Sequence, residues 1–257
     1  MNNRMVMMQQ EIIKELVLQF KDQEPDQILR YFLSAYAGSS INNKDRIALA
    51  SSLGAEDQVL TQIILAIKPE ARIFILDTGR LPSETYDVVN RTMSRYKMKY
   101  EFLFPESADV EAMESREGPN LFYESIENRK KCCFVRKVKP LGRVLSTLDV
   151  WITGLRRQQA VTRNALEKIE WDEGNGLIKL NPLADWSEER VWAYIKEHQI
   201  PYNKLHDQGY PSIGCAPCTR KVLSGEDLRS GRWWWETPEQ KECGLHIVNG
   251  KLVGRNK

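Results

Sequence analysis

Arg46-Ile47-Ala48-Leu49-Ala50-Ser51-Ser52-Leu53-Gly54-Ala55-Glu56-Asp57 is the stretch from which the fold is read. Residues 46 to 50 have strand character and run into a loop of small and hydroxyl residues; Val59, Leu60, Ile63, Ile64 and Ile67 then recur at helical spacing. A second strand is expected over 72–76, ending in Asp77-Thr78-Gly79-Arg80-Leu81, followed by a helix opened by Pro82 and a third strand over 99–104. Strand, helix, strand, helix, strand at these lengths predicts an α/β fold, a parallel twisted sheet with right-handed crossovers and flanking helices.

In such sheets ligands bind outside the carboxyl ends of the strands, where both small-residue loops fall. The hydroxyls of Ser51 and Ser52, a permissive backbone at Gly54 and the amides opening the next helix suit a phosphate-like anion. No Gly-Lys-Ser/Thr follows, so this is not a Walker A loop, and there is no Gly-x-Gly-x-x-Gly fingerprint. Alone, a Ser/Gly loop after a strand is as often structural.

Upstream, Ile12, Ile13, Leu16, Val17 and Phe20, then Ile28, Leu29, Phe32, Leu33 and Tyr36 after Pro25, form two helical stripes expected in the core. Downstream, a strand over 150–153 delivers Gly154-Leu155-Arg156-Arg157-Gln158, with Thr162-Arg163 close behind, another strand end carrying cations. Asp185-Trp186-Ser187-Glu188 resembles a capping box for a helix running to about His198, which is expected at the surface. After Pro201 the chain is irregular, and Gly and Ser between Arg229 and Arg232 suggest a mobile loop able to close over an anion. Trp233, Trp234 and Trp235 are read as packing for the tail.

The length of 257 residues suits one large α/β domain, with residues 1–222 as its body and 223–257 as a mobile C-terminal tail of the same domain. The 37 Lys and Arg nearly balance the 35 Asp and Glu, so total charge gives no reason to expect nucleic acid or membrane. Residues 1–10 lack an apolar core and no stretch approaches membrane-spanning length, which points to the cytoplasm, where thiols stay reduced.

Four of the five cysteines fall in two pairs, Cys132-Cys133 and Cys215-Ala216-Pro217-Cys218. Such thiolates suit zinc or an iron-sulfur cluster. Adjacent helical residues point about 100° apart, so Cys132 and Cys133 would share one zinc only with strain, whereas a four-iron cluster offers them two targets. A redox Cys-x-x-Cys with two buried bystanders is the further reading. Six cations surround the tandem pair between Arg129 and Lys139, where they would offset the charge of a four-thiolate cluster. Cys243 has no partner left and is a candidate nucleophile.

Taken together, these stretches resemble the assimilatory adenylyl-sulfate reductases, the iron-sulfur branch of the family that includes phosphoadenylyl-sulfate reductases. The resemblance runs from about residue 45 to residue 246 and is most specific at Lys131-Cys132-Cys133, Cys215-Ala216-Pro217-Cys218, Gly231-Arg232-Trp233-Trp234-Trp235-Glu236 and Glu242-Cys243-Gly244-Leu245-His246. Leu76 to Leu81 and Trp151 to Arg157 also match; Leu53 stands where many members have phenylalanine. The resemblance implies a fold of the adenine-nucleotide hydrolase group and reduction of adenylyl sulfate to sulfite and AMP. It implies one 4Fe-4S cluster on Cys132, Cys133, Cys215 and Cys218, and Cys243 as the nucleophile that becomes an S-sulfonate. Lys137, Arg229, Arg232 and His246 match positions near the phosphosulfate; Ser51, Ser52, Gly54, Gly79, Gly154 and Arg163 match positions that hold the nucleotide. Thioredoxin or glutaredoxin as electron donor and a homo-oligomer complete what it implies.

Three other functions compete. An ATP pyrophosphatase, such as a thiouridylase, would keep a Ser-Gly-Gly-x-Asp-Ser loop, absent here. A phosphoadenylyl-sulfate reductase without a cluster would lack the four paired cysteines. A zinc or nucleic-acid module would leave Cys243 and the strand-end loops unexplained. Within the reductases, Glu56 and Asp57 beside the cradle are expected to repel a 3′-phosphate and so favour adenylyl sulfate, unless they only cap the following helix.

Overall fold

Strands buried on both faces read as near-continuous apolar runs, and the sheet shows this. The computed structural model describes residues 3–37, 44–159, 163–237, 247–248 and 251–252. Helices α1 (Asn3–Phe20) and α2 (Pro25–Ala35) precede β1 (Ile47–Ser51), α3 (Ala55–Ile67), β2 (Ile73–Leu76), α4 (Ser83–Tyr96) and β3 (Glu101–Leu103). Then come α5 (Ser107–Glu117), α6 (Ile126–Cys133), a π-helical segment (Phe134–Val138), α7 (Lys139–Leu145), β4 (Val150–Ile152), β5 (Ile169–Asp172), β6 (Leu177–Leu180) and α8 (Glu188–Glu197). The sheet order is β3-β2-β1-β4-β6-β5, parallel throughout except that β5 runs antiparallel to β6.

The order reverses between β1 and β4, which are paired through Ile47 with Val150 and Leu49 with Ile152. This places the loops following β1 and β4 side by side at the carboxyl edge of the sheet, the switch point where α/β folds bind ligands. On one face Ile28, Leu29 and Phe32 of α2, Val59, Leu60 and Ile64 of α3 and Val191 and Ile195 of α8 join the main core. On the other, Leu141, Val144 and Leu145 of α7 pack on Ala48, Phe74 and Trp151. Helix α3 is further pinned by Gln58, whose Nε2 donates to Thr92 Oγ1 at 2.7 Å and to the Pro201 carbonyl at 2.8 Å.

Three local expectations change. Ile12 is 52% exposed, while Phe20 is buried and Ile13, Leu16 and Val17 are half-buried, so the α1 stripe packs only along part of its width. The cap of α8 is Ser187 alone: its hydroxyl accepts from the Arg190 amide, and because the third helical residue is an arginine there is no reciprocal carboxylate. His198 ends that helix half-buried, its ring 4.1 Å from that of Tyr194. The β5–β6 hairpin was not anticipated, although Asn175-Gly176 between two strand-like runs is its signal and Gly176 takes φ +67°.

Burial sets the expected stability effects. Leu60, fully buried in the main core, should cost about 2–5 kcal/mol when replaced by alanine, whereas Ile12→Ala should stay within about 0.5 kcal/mol. Urea unfolding of the two variants checks this.

Candidate functional site

The loop after β1 is held from within. Asp57, in the first turn of α3, turns its Oδ2 back to accept from both the amide and the hydroxyl of Ser52, each at 2.6 Å. The Ser51 hydroxyl is buried and accepts from the Leu53 amide at 3.2 Å. The left-handed residue is Leu53, at φ +63°, while Gly54 keeps an ordinary extended backbone as the cap of α3. The permissive backbone expected at Gly54 is therefore not what the loop uses. Burial of the Leu53 side chain, 2% exposed, offsets its strained backbone. At Gly54 a side chain would instead crowd the Ser52 hydroxyl at 3.2 Å.

The loop after β4 closes against this one. A side chain at Gly154 would overlap Asp57 Oδ1, so only glycine lets the two strand ends approach this closely. Arg156, buried, donates from Nε to Glu56 Oε1 at 2.8 Å. Both carboxylates thus have internal partners, Arg156 for Glu56 and the neutral Ser52 for Asp57, so only the Glu56 charge is offset by a cation. Burial pushes the Asp57 carboxyl up from 3.8 to about 6; Glu56 adds to the rise and the Ser52 and Gly154 hydrogen bonds oppose it.

A cleft of about 1030 Å³ opens above these loops. Ser52, Gly54, Gly154, Lys137, Arg163, Arg229 and Arg232 all line it, so the fold gathers seven of the expected binding residues from four separate stretches. Gln159, not anticipated from sequence, ties the segment after β4 together: its Oε1 accepts from the Arg156 amide at 3.1 Å and from Arg163 Nη1. Another unanticipated lining residue is His206, whose ring meets Trp192 edge-on and whose proton affinity is lowered by burial. Neither belongs to a motif: Gln159 bonds residues three and four positions away, and His206 meets the distant Trp192 only in the fold. Ser51 and Gly79 lie off the cleft wall; Gly79 makes a left-handed turn at φ +73° and donates to Asp77 Oδ1. Cys243 and His246 lie outside the described residues.

Beside the cleft, Cys132, Cys133, Cys215 and Cys218 line one cavity together with Arg80, Arg129, Arg136 and Lys137. The tandem pair ends α6, which continues into a π-helical turn, a widening often found at functional sites. That turn carries Arg136, whose Nη1 donates to the Thr78 carbonyl at 2.6 Å, and Lys137, which lines both the cavity and the cleft. The second pair is tied to the loop after β2 by the Ala216 amide on the Arg80 carbonyl at 2.8 Å and by a 3.2 Å contact between Thr78 Oγ1 and Cys215 Sγ. All four cysteines are free thiols. Burial, reinforced by Cys215, pushes Cys218 up to about 12 and burial also raises Cys132, while Arg232 and Lys137 on the first and Arg136 on the second act the other way.

This donor set fits a thiolate-bound metal group. Buried thiols resist ionisation unless a cationic centre takes the thiolate, and the flanking cations suit the net negative charge that four thiolates would leave. Among the described residues no group of three or more His, Cys, Asp or Glu side chains is already drawn together around a metal position.

Trp233 closes the wall between the two spaces. It is 1% exposed at φ +41°, packs with the cysteines and lines the cleft, and the guanidinium groups of Arg129 and Arg232 each lie 4.7 Å from its ring. Trp235 also packs against this cluster, whereas Trp234 is 39% exposed.

A mostly parallel sheet with an anion loop and a cationic cleft at its switch point gives the chain an adenine-nucleotide α-hydrolase-like fold. The likeness to Candida glabrata FMN adenylyltransferase, with TM-score 0.53 at 14% identity over 92% of this chain and 80% of that one, is a likeness of fold alone. Residues 46–221 match the phosphoadenosine phosphosulfate reductase domain, and the chain belongs to that family. It is 55% identical over 202 residues to the adenosine 5′-phosphosulfate reductase of Allochromatium vinosum, covering 79% of each chain. The phosphoadenylyl-sulfate reductase of Candida auris, solved as a phosphate complex, superposes with TM-score 0.70 at 28% identity, covering 83% of this chain and 97% of that one. No described helix is long and apolar enough to cross a membrane.

Asp57 gives a signed pH prediction. Its folded value lies above its unfolded one, so its contribution to stability falls as pH rises from about 4 to about 6 and is level above that. Relative to Asp57→Asn, the wild type should lose stability across that window; denaturant melts of both at several pH values give the difference, which would be flat if Asp57 ionised normally.

Proposed function

We propose that this chain reduces adenylyl sulfate to sulfite and AMP through an S-sulfonate on Cys243, with thioredoxin or glutaredoxin as electron donor. The observation that carries the reading is the shared wall: Lys137 belongs at once to the nucleotide-sized cationic cleft and to the four-cysteine cavity. The adenosine 5′-phosphosulfate reductases among its relatives support the choice of adenylyl sulfate. The cytoplasm suits a protein whose described cysteines are free thiols.

The nucleotide's phosphate would sit over Ser52 and Gly54 at the amino end of α3, where the helix dipole favours an anion. Lys137, Arg229 and Arg232 would neutralise the sulfuryl oxygens and draw the nearby thiol toward its thiolate form. The Cys243 thiolate attacks the sulfuryl sulfur; a sulfur–sulfur bond forms, the bond from sulfur to the bridging phosphate oxygen breaks, and AMP leaves with its electron pair. A donor thiolate then attacks Cys243 Sγ and expels sulfite with the electron pair of the sulfur–sulfur bond. The donor's second thiol resolves the mixed disulfide, so the dithiol supplies the two electrons of the reduction. Cys132, Cys133, Cys215 and Cys218 would hold a 4Fe-4S cluster, which supplies a fixed charged centre beside the cleft.

Incubation with adenylyl sulfate and no dithiol should leave an adduct of sulfite mass on the peptide containing Cys243. Cys243→Ser should abolish the adduct and sulfite release while still binding AMP; sulfite release at the wild-type rate would refute the assignment. Each contact from Arg229 or Arg232 to an anion is of the charge-assisted kind, so either Arg→Ala variant should lose about tenfold to a hundredfold in kcat/KM. Steady-state kinetics on the two single variants measures this, against near-neutral values for ordinary surface arginines.

A further inference from the structure

Arg129 and Glu236 form a buried ion pair that the chemistry above does not use. Their side chains are each 1% exposed, 107 residues apart in sequence, and joined in a two-point fork, Nε to Oε1 at 2.8 Å and Nη2 to Oε2 at 2.7 Å. The position of each partner is what gives the pair its meaning. Arg129 lies on α6 three residues before Cys132, on the same side of the helix, and lines the four-cysteine cavity. Glu236 lies seven residues before Cys243. Beside the pair, Trp233 lies under the Arg129 guanidinium and forms part of the cleft wall, with its amide donating to the Cys218 carbonyl at 3.3 Å.

A buried pair of this kind is poor evidence for stability, because desolvation of both charges consumes most of their attraction and apolar residues of the same size would often serve as well. What the fork does supply is geometry: two parallel hydrogen bonds fix direction as well as distance. We infer that Arg129 and Glu236 are positioning residues that latch the chain, seven residues before Cys243, to the helix carrying Cys132 and Cys133. Residue 236, seven before Cys243, is thereby held at a place set by the four-cysteine site. The catalytic consequence rests on the function proposed above, while the latch itself is a property of the fold.

The test uses the full chain as purified, with Glu236→Gln, which keeps the shape and removes the charge, and Arg129→Lys, which keeps the charge and removes the fork. In single turnover, Glu236→Gln should form the Cys243 S-sulfonate about 10²-fold more slowly, the penalty for a displaced reacting group. Arg129→Lys should fall between it and the wild type. AMP affinity and the discharge of preformed S-sulfonate by a dithiol should stay within about twofold. Amide hydrogen exchange at Trp233 to Thr237 should accelerate in Glu236→Gln, with that of β1 and α3 unchanged. Adduct formation within about twofold of wild type would overturn the latch. So would a joint fall in formation, discharge and AMP affinity, the mark of general damage to the fold. If the wild type itself forms no adduct, the proposed function fails, and the exchange at Trp233 to Thr237 still decides the latch: unchanged exchange there refutes it.

Discussion

A parallel sheet whose strand order reverses leaves a crevice at its carboxyl edge, and the reversal between β1 and β4 is the constraint from which this molecule's site follows. The crevice is narrow at its base because Gly154 lets the end of β4 come up against Asp57 on α3. Asp57 in turn holds Ser52, so the anion loop takes its shape from a carboxylate buried beneath it at some cost in ionisation. Glu56, tied to Arg156, fixes the other strand-end loop to the same helix. The two acidic residues thus build the cradle and also line the cleft above it.

The second space depends on the first. The residues after α6 widen into a π turn, and Lys137 on that turn reaches the cleft while Cys132 and Cys133 at its start face the neighbouring cavity. Arg232 and Trp233 complete the partition from the tail side, with Arg232 Nε directed to the Cys218 carbonyl at 3.3 Å. A side chain at Gly214 would overlap the Arg232 guanidinium, so the approach to Cys215 is also shaped by a glycine. Charge and packing at the wall are therefore shared: a change made for the cysteine site is felt in the cleft within one or two residues.

Much of this was legible in the sequence. The alternation of apolar runs and small-residue loops from Arg46 to Phe104 predicts the parallel sheet and its functional edge, because burial on both faces and the crossover rule leave few other arrangements. The paired cysteines predict a common site, and they do line one cavity. What sequence did not disclose are interactions whose partners are distant or whose geometry depends on the loop as a whole. Leu53, and not Gly54, takes the left-handed turn, since core burial of its side chain outweighs the usual preference for glycine. Gln159 and His206 join the cleft only through folding, and the direction in which Asp57 points is set by Ser52 and by the space Gly154 leaves. The β5–β6 hairpin carried a turn signal, but its short strands blend with the irregular sequence around them.

The proposed 4Fe-4S cluster would stand beside the wall that the cationic cleft and the four-cysteine cavity share. Its most direct test is the metal and acid-labile sulfide content of the anaerobically purified protein, with and without Cys132→Ser. A 4Fe-4S cluster predicts about four irons and four sulfides per chain, lost in the variant, with thiolate-to-iron absorption in the visible range. Stoichiometric zinc without sulfide, or iron content indifferent to Cys132, would contradict it.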